Sequence, residues 1–315
     1  MRARRGPKES LDPWTPYAFL AEDEVGPTGE RVATATVFLT NRECPFSCLM
    51  CDLWQKTLDE RVPVGAIPAQ IRHALSHLGP DARQIKLYNA GSFFDPQAIP
   101  PDDYPEIARA VAGFERVIVE CHPAFLADPA RCLRFRDLLA AGGGAHLEVA
   151  VGLETVHEAA LAFLNKGMTR DEFARTAAFL RAAGISLRVF LLVRPPLLSE
   201  AEGVVWAKRS LDFAFDAGAS VCALIPTRAG NGAMEQIGAA GRWNAPSLAA
   251  VEAAQRYGLS LRRGRVLSDL WDVERFYTCA VCSPERARAL AAMNQSQRPT
   301  PPRVCDRCGP LPEWE

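Results

Sequence analysis

Cys44, Cys48 and Cys51 stand in the stretch Asn41-Arg42-Glu43-Cys44-Pro45-Phe46-Ser47-Cys48-Leu49-Met50-Cys51, a C-x3-C-x2-C pattern. A [4Fe-4S] cluster ordinarily takes four thiolates, so three from one loop leave one iron with an open position where another molecule can bind. Three close cysteines can also join one histidine around zinc, but no histidine stands close to this loop. A second group, Cys279-Ala280-Val281-Cys282 and Cys305-Asp306-Arg307-Cys308, makes two C-x2-C knuckles separated by 22 residues. Two knuckles close a tetrahedral zinc site or complete a second iron-sulfur cluster, and spacing alone does not separate these.

Chemistry of this kind needs a scaffold that carries loops to one place. Short β-branched or apolar runs alternate with helical patterns, the mark of successive βα units and a parallel sheet. Six strands are expected, at Val32 to Leu39, Ile85 to Tyr88, Val117 to Glu120, Leu147 to Val151, Leu187 to Val193 and Val221 to Ile225. Thr169 with Glu172, and Ser199 with Glu202, have capping-box spacing, and Asp128-Pro129 suits an N-cap followed by the first helical position. Gly184 and Gly218 fall where helices should end, and Phe173, Ala177 and Leu180 form a core-facing stripe. Six parallel units make either an open doubly wound sheet or an incomplete TIM-like barrel; in both, the carboxyl ends of the strands carry the chemistry.

At those ends the sequence offers Asn89-Ala90-Gly91-Ser92, Glu120-Cys121-His122, Glu154, Arg194, and Arg228 within Pro226 to Gly232. Glu120 and Glu154 would point into a barrel mouth, and the two arginines can clamp a carboxylate or phosphate, or form structural ion pairs. Cys121 can supply a hydrogen atom or contact substrate, although free cysteines are commonly buried. His73 and His77 lie four apart on an expected helix and are read as a solvated or packed face rather than a metal pair.

Composition bounds the rest. With 315 residues and 48% hydrophobic content the chain can bury a sizeable core. It has no apolar run of 18 or more and no apolar export signal, so a soluble cytoplasmic protein without membrane contact is expected. Seven of its ten cysteines fall in the two metal-spaced groups, which favours metal over disulfides. The formal net charge of -1 argues against indiscriminate nucleic-acid binding, yet Arg256 to Cys308 holds ten Arg and no Lys against five Asp and Glu, a formal +5. That excess is compatible with phosphate contact and equally with a solvated surface.

The first cysteine motif resembles the radical S-adenosylmethionine (SAM) superfamily, with Met50 where an aromatic residue often stands. Further stretches resemble the radical SAM subunits of archaeosine synthases and, more distantly, Elongator catalytic subunits. They are Gly91-Ser92-Phe93-Phe94-Asp95-Pro96 with Ile99-Pro100, Val149 to Glu154, Leu164-Asn165-Lys166-Gly167-Met168-Thr169, and Leu191 to Glu200. The resemblance implies an α/β fold, a partial (β/α)6 TIM-like barrel over residues 31–259. An irregular extension over 1–30 and a cysteine-rich metal-binding segment over 260–315 complete the expected organisation. It implies a [4Fe-4S] cluster on Cys44, Cys48 and Cys51, whose open iron chelates SAM and whose electron generates a 5′-deoxyadenosyl radical. It also implies SAM contacts from Asn89, Ala90, Gly91, Ser92, Glu154 and Arg228, with Glu120, Cys121 and Arg194 as catalytic candidates. Zinc, or a second cluster, is expected on Cys279, Cys282, Cys305 and Cys308. The implied partners are a tRNA substrate modified at a nucleoside and an electron donor such as flavodoxin or ferredoxin. A radical SAM enzyme for a small metabolite or peptide, and a noncatalytic metal or redox module, are the competing expectations.

Overall fold

The computed structural model describes residues 5–309 and 314. In chain order the elements are β1 (Ala18–Val25), β2 (Arg31–Leu39), α1 (Ala66–His77), β3 (Gln84–Asn89), α2 (Tyr104–Ala110), β4 (Arg116–Glu120), α3 (Ala130–Gly142) and β5 (His146–Glu154). There follow α4 (Glu158–Phe163), α5 (Arg170–Ala182), β6 (Ser186–Val193), α6 (Glu200–Asp216), β7 (Val221–Pro226), α7 (Ala233–Ala239), α8 (Leu248–Leu261), β8 (Arg265–Ser268) and α9 (Ser283–Ser296). The strands form one sheet in the order β1 to β8, with β1 antiparallel to β2 and every later pair parallel. Arg265 Nη1 at the start of β8 donates to Val25 O at the end of β1 over 2.8 Å, so the two edges approach and the sheet curls into a partial barrel.

All six expected strands are present, each within a few residues of its expected ends. Both capping boxes form, and Gly184 and Gly218 take the left-handed φ of 68° and 98° that terminates a helix most readily in glycine. At α3 the expectation shifts by one residue: Pro129 is the N-cap, and Asp128 Oδ1 accepts from Ala130 N at 3.1 Å instead.

Two strands were not expected. Residues 18–25, assigned to an irregular extension, form β1, and β8 lies within the segment assigned to a cysteine-rich tail. The boundary expected at 259/260 falls inside α8. Two features hid these strands. β1 carries Glu22, Asp23 and Glu24, and β8 has only four residues.

The period-2 alternation of a strand sorts side chains to two faces. Val117, Val119, Val149, Val151, Val189 and Leu191 face the helices in a continuous apolar core. The opposite, concave face carries charge. Lys86 Nζ lies 2.6 Å from Glu24 and 3.0 Å from Glu22, Arg188 lies 2.5 Å from Glu24 and 2.6 Å from Glu148, and Arg116 lies 3.2 Å from Glu148. Burial works to raise the Glu24 and Glu148 carboxyls, but Arg188 in both cases, with Lys86 at Glu24 and Arg265 at Glu148, outweighs it and holds both below the usual range. These groups sit near the amino ends of β3 to β6 and β8 and form a charged floor to the barrel. Farther along the strands, Phe38, Tyr88 and Phe190 form a half-buried aromatic layer, with ring centroids 6.3 and 6.2 Å apart.

Candidate active site at the carboxyl ends of the strands

The loop after β2 carries Cys44, Cys48 and Cys51 at the barrel mouth, and neighbouring loops hold it by its backbone. Leu49 N donates to Leu164 O at 2.8 Å, and Asn165 Nδ2 donates to Ser47 O at 2.9 Å. From the loop after β7, Asn231 Nδ2 donates to Leu49 O and, at 3.4 Å, to Cys51 O. Gln55 Nε2 returns a bond to Gly230 O at 2.9 Å. The half-buried loop is thereby tied to the segment between α4 and α5 and to the loop after β7, the preorganisation that a metal site requires.

His122 adds a lateral prop. Its Nδ1 accepts from Ala124 N at 3.2 Å, which leaves Nε2 to carry the proton and donate to Lys166 O at 2.9 Å. The ring stacks on Phe46 of the cysteine loop, with centroids 3.8 Å apart. Burial, with the Lys166 charge, pushes its pKa down to about 4, so it stays neutral. Gly167, at φ 69°, lets the same strap pass: a Cβ there would meet the Phe46 ring at 3.4 Å.

Lys166 is the charged centre of the site. Its Nζ lies 2.6 Å from Glu154 Oε1, and both side chains are buried. Burial disfavours the ammonium, yet the Glu154 carboxylate beside it keeps its pKa above the usual lysine value. Glu154 ends β5 at a register shift with φ 65°, a left-handed conformation that is strained in a residue with a side chain. Glu120, at the end of β4, is pushed up to about 8 by burial, against the pull of Lys166 and a bond from Asn89 N. Tyr17, just before β1, also reaches this region: burial, then Glu120, Asp52 and Cys51, raise its phenol pKa.

Asn89, Ala90 and Ser92 are buried, and Gly91 lies against the cysteine loop. A Cβ on Gly91 would stand 3.5 Å from Cys44 Cβ, 3.6 Å from Asn89 Nδ2 and 3.7 Å from Asn41 Nδ2. Among the described residues, Asn89 Nδ2, Asn89 Oδ1 and Asn41 Oδ1 find no partner although buried. Such orphaned polar atoms fit a polar ligand at this place.

Three of the expected residues have partners or surroundings of their own. Arg194 ends β6 at φ 56°, but its guanidinium bonds Glu200 at 3.2 Å and Ala245 O at 3.0 Å. Arg228 pairs with Asp269 after β8. Cys121 lies in the apolar core near Cys132, where burial raises its thiol pKa well above the ordinary value. Lys166, His122, Tyr17 and Asn231 were not expected as site residues. Lys166 lies in a stretch matched by resemblance, but nothing in its spacing shows that a lysine on the loop before α5 folds back over β5. His73 and His77 lie on the exposed side of α1 beside Phe19, as a packed face should.

Burial pushes the Cys44 thiol up to about 11 and, reinforced by Cys48, the Cys51 thiol up to about 12. Metal coordination overcomes such values by binding the thiolate directly. The C-terminal group is tighter: the four sulfur atoms of Cys279, Cys282, Cys305 and Cys308 all lie within 4.8 Å of one another, a spacing that can hold a metal ion.

No family profile matches the chain. Among curated relatives, the archaeosine synthase subunit beta of Thermococcus kodakarensis is 28% identical over 173 residues, covering 52% of each chain. That of Methanosarcina acetivorans is 25% identical over 194 residues, covering 58% of this chain and 55% of its own. The chain thus spans about half the length of these relatives. Among solved structures, an N-terminally truncated Elp3 from Methanocaldococcus infernus superposes with a TM-score of 0.50 at 15% identity, over 64% of this chain and 51% of its own. Methylornithine synthase (PylB) superposes at 0.54 and 15% identity, over 75% and 64%. At such identity these two show a shared fold. The chain is thus similar over about half its length to archaeosine synthase beta subunits and shares a fold with Elp3 and methylornithine synthase.

Proposed function

We propose that this chain is a radical SAM enzyme acting on a nucleoside in tRNA. The observation that carries the reading is the convergence of the three-cysteine loop, the Lys166–Glu154 pair, Glu120 and the unpartnered Asn89 amide at one end of the barrel. When bound, a [4Fe-4S] cluster on Cys44, Cys48 and Cys51 supplies the electron that cleaves SAM reductively to a 5′-deoxyadenosyl radical.

The chain's own residues position the reactants. Asn89 and the Gly91 turn offer amide and backbone groups to the amino acid end of SAM. Glu120 and Glu154 accept from its ammonium or hydroxyl groups, and the Lys166 ammonium offsets negative charge at the cysteine loop. Phe38, Tyr88 and Phe190 line the lumen beneath with apolar rings on which a planar substrate group can rest. The names of the relatives support the tRNA substrate. For the C-terminal cysteines we favour zinc over a second cluster.

Anaerobic reconstitution with iron and sulfide, then dithionite and SAM, tests this by detection of 5′-deoxyadenosine. Wild type should form it and Cys48→Ala should not. A fully loaded wild-type cluster that leaves SAM intact, with and without unmodified tRNA, would count against the enzyme reading.

A further inference from the structure

A partial barrel leaves two free strand edges, and this chain covers one of them with side-chain amides. On the side of β8 away from β7, Val266 N donates to Gln297 Oε1 at 2.8 Å and Val266 O accepts from Gln297 Nε2 at 3.1 Å. Two residues on, Ser268 N donates to Asn294 Oδ1 at 2.7 Å and Ser268 O accepts from Asn294 Nδ2 at 2.9 Å. Two primary amides from α9 and its C-cap therefore stand in for the ladder of a missing ninth strand, satisfying backbone groups that would otherwise be exposed. α9 also packs against β1, so it fills the seam between β8 and β1.

The opposite end of α9 begins at Cys282, its N-cap. Cys282 Sγ and Cys308 Sγ are 3.7 Å apart, and the four sulfurs lie within 4.8 Å of one another. Four thiolates about 2.3 Å from one tetrahedral zinc stand about 3.8 Å apart. A four-iron cube instead places each thiolate on a separate iron and spreads them more widely. Among the described residues, Cys44, Cys48 and Cys51 do not close to the tighter spacing. Contacts around the C-terminal group tie it to the barrel. Ser283 Oγ accepts from Thr278 N at 3.2 Å and Cys279 N at 3.1 Å. Arg286 on α9 bonds the Cys282 thiol, Glu252 on α8, and Arg303 O at 2.7 Å, just before the second knuckle.

We propose that Cys279, Cys282, Cys305 and Cys308 hold a single structural zinc ion that fastens α9 into the seam and so keeps the β8 edge covered. This rests on the zinc reading above and adds the role. Zinc holds the start of the helix, Arg286 links it to α8, and Asn294 and Gln297 present the amide cover at its far end.

Metal content and hydrogen exchange separate the two parts. In the full chain carrying C44A, C48A and C51A, aerobically purified and also offered iron and sulfide, one zinc and no iron per chain is expected. Iron and sulfide bound there would overturn the zinc assignment. In Cys305→Ser/Cys308→Ser, zinc should be lost, and exchange protection at the Val266 and Ser268 amides should fall at least about tenfold while β4 and β5 stay protected. Unchanged protection after zinc loss would overturn the latch and leave the zinc reading standing. If that variant precipitates, chelator treatment of wild-type protein gives the same comparison. Asn294→Leu/Gln297→Leu should keep its zinc and lose protection at the same two amides.

Discussion

The Lys166 ammonium reaches Glu154 across the bare Cα of Gly152. A Cβ at Gly152 would run into both the Glu154 carboxylate and the Lys166 Nζ, so a glycine two residues before Glu154 makes room for the pair. Gly152→Ala should displace that pair, lower stability by about 1–3 kcal/mol through local overpacking, and reduce 5′-deoxyadenosine formation more than it reduces cluster content. Denaturant melts, iron analysis and product detection on one preparation check the three effects together.

Removing only one partner of this pair should be worse than removing both. Lys166→Met leaves a buried carboxylate without its cation and should lower stability by about 3–5 kcal/mol. Lys166→Met/Glu154→Leu should recover most of that loss in urea unfolding, because no lone charge remains buried. Neither protein should cleave SAM. A double variant as unstable as the single one would mean that the pair is not the source of the loss.

Glu120 makes a pH-dependent contribution of defined sign. Its folded pKa of about 8 lies above the ordinary value of 4.5, so between the two the folded chain holds a proton there that the unfolded chain has released. Stability associated with this group is therefore full below pH 4.5 and declines as pH rises to about 8, where it levels off. Glu120→Gln should remove that decline. The difference between the two unfolding free energies of metal-free protein, measured across this range, should shrink toward acid and grow toward alkaline pH in favour of the variant.

The charged floor should respond to loss of its central cation. Arg188 touches both Glu24 and Glu148, each almost wholly buried, so Arg188→Met removes the shared cation and leaves Glu24 to Lys86 and Glu148 to Arg116 and Arg265. Because those cations remain, the expected loss falls below the roughly 3–5 kcal/mol of a fully uncompensated buried charge, and it is largest near neutral pH and smaller in acid, where the carboxylates take up protons. A urea series at two pH values checks it.

Much of the candidate site was legible in one dimension. The C-x3-C-x2-C loop after the first expected strand, the strand-terminal Glu120 and Glu154, and the turn at Gly91 depend on local order, and the six βα units emerge from periodicity alone. β1 was not legible, because its inward Glu22 and Glu24 read as a polar extension until Lys86 and Arg188, far away in sequence, neutralise them. Arg194 and Arg228 stand at strand ends as expected, but their partners Glu200, Ala245 and Asp269 are set by how α6, α8 and the loop after β8 pack.

The sequence by itself determined the cysteine spacing, the strand and helix periods and the caps, because these rest on interactions among residues a few positions apart. The tertiary structure alone decided that Lys166 folds over Gly152, that His122 props Phe46, and that Asn294 and Gln297 cover β8. Those contacts join segments whose separation in the chain carries no local signal, and burial fixes their charge states only once the barrel has curled.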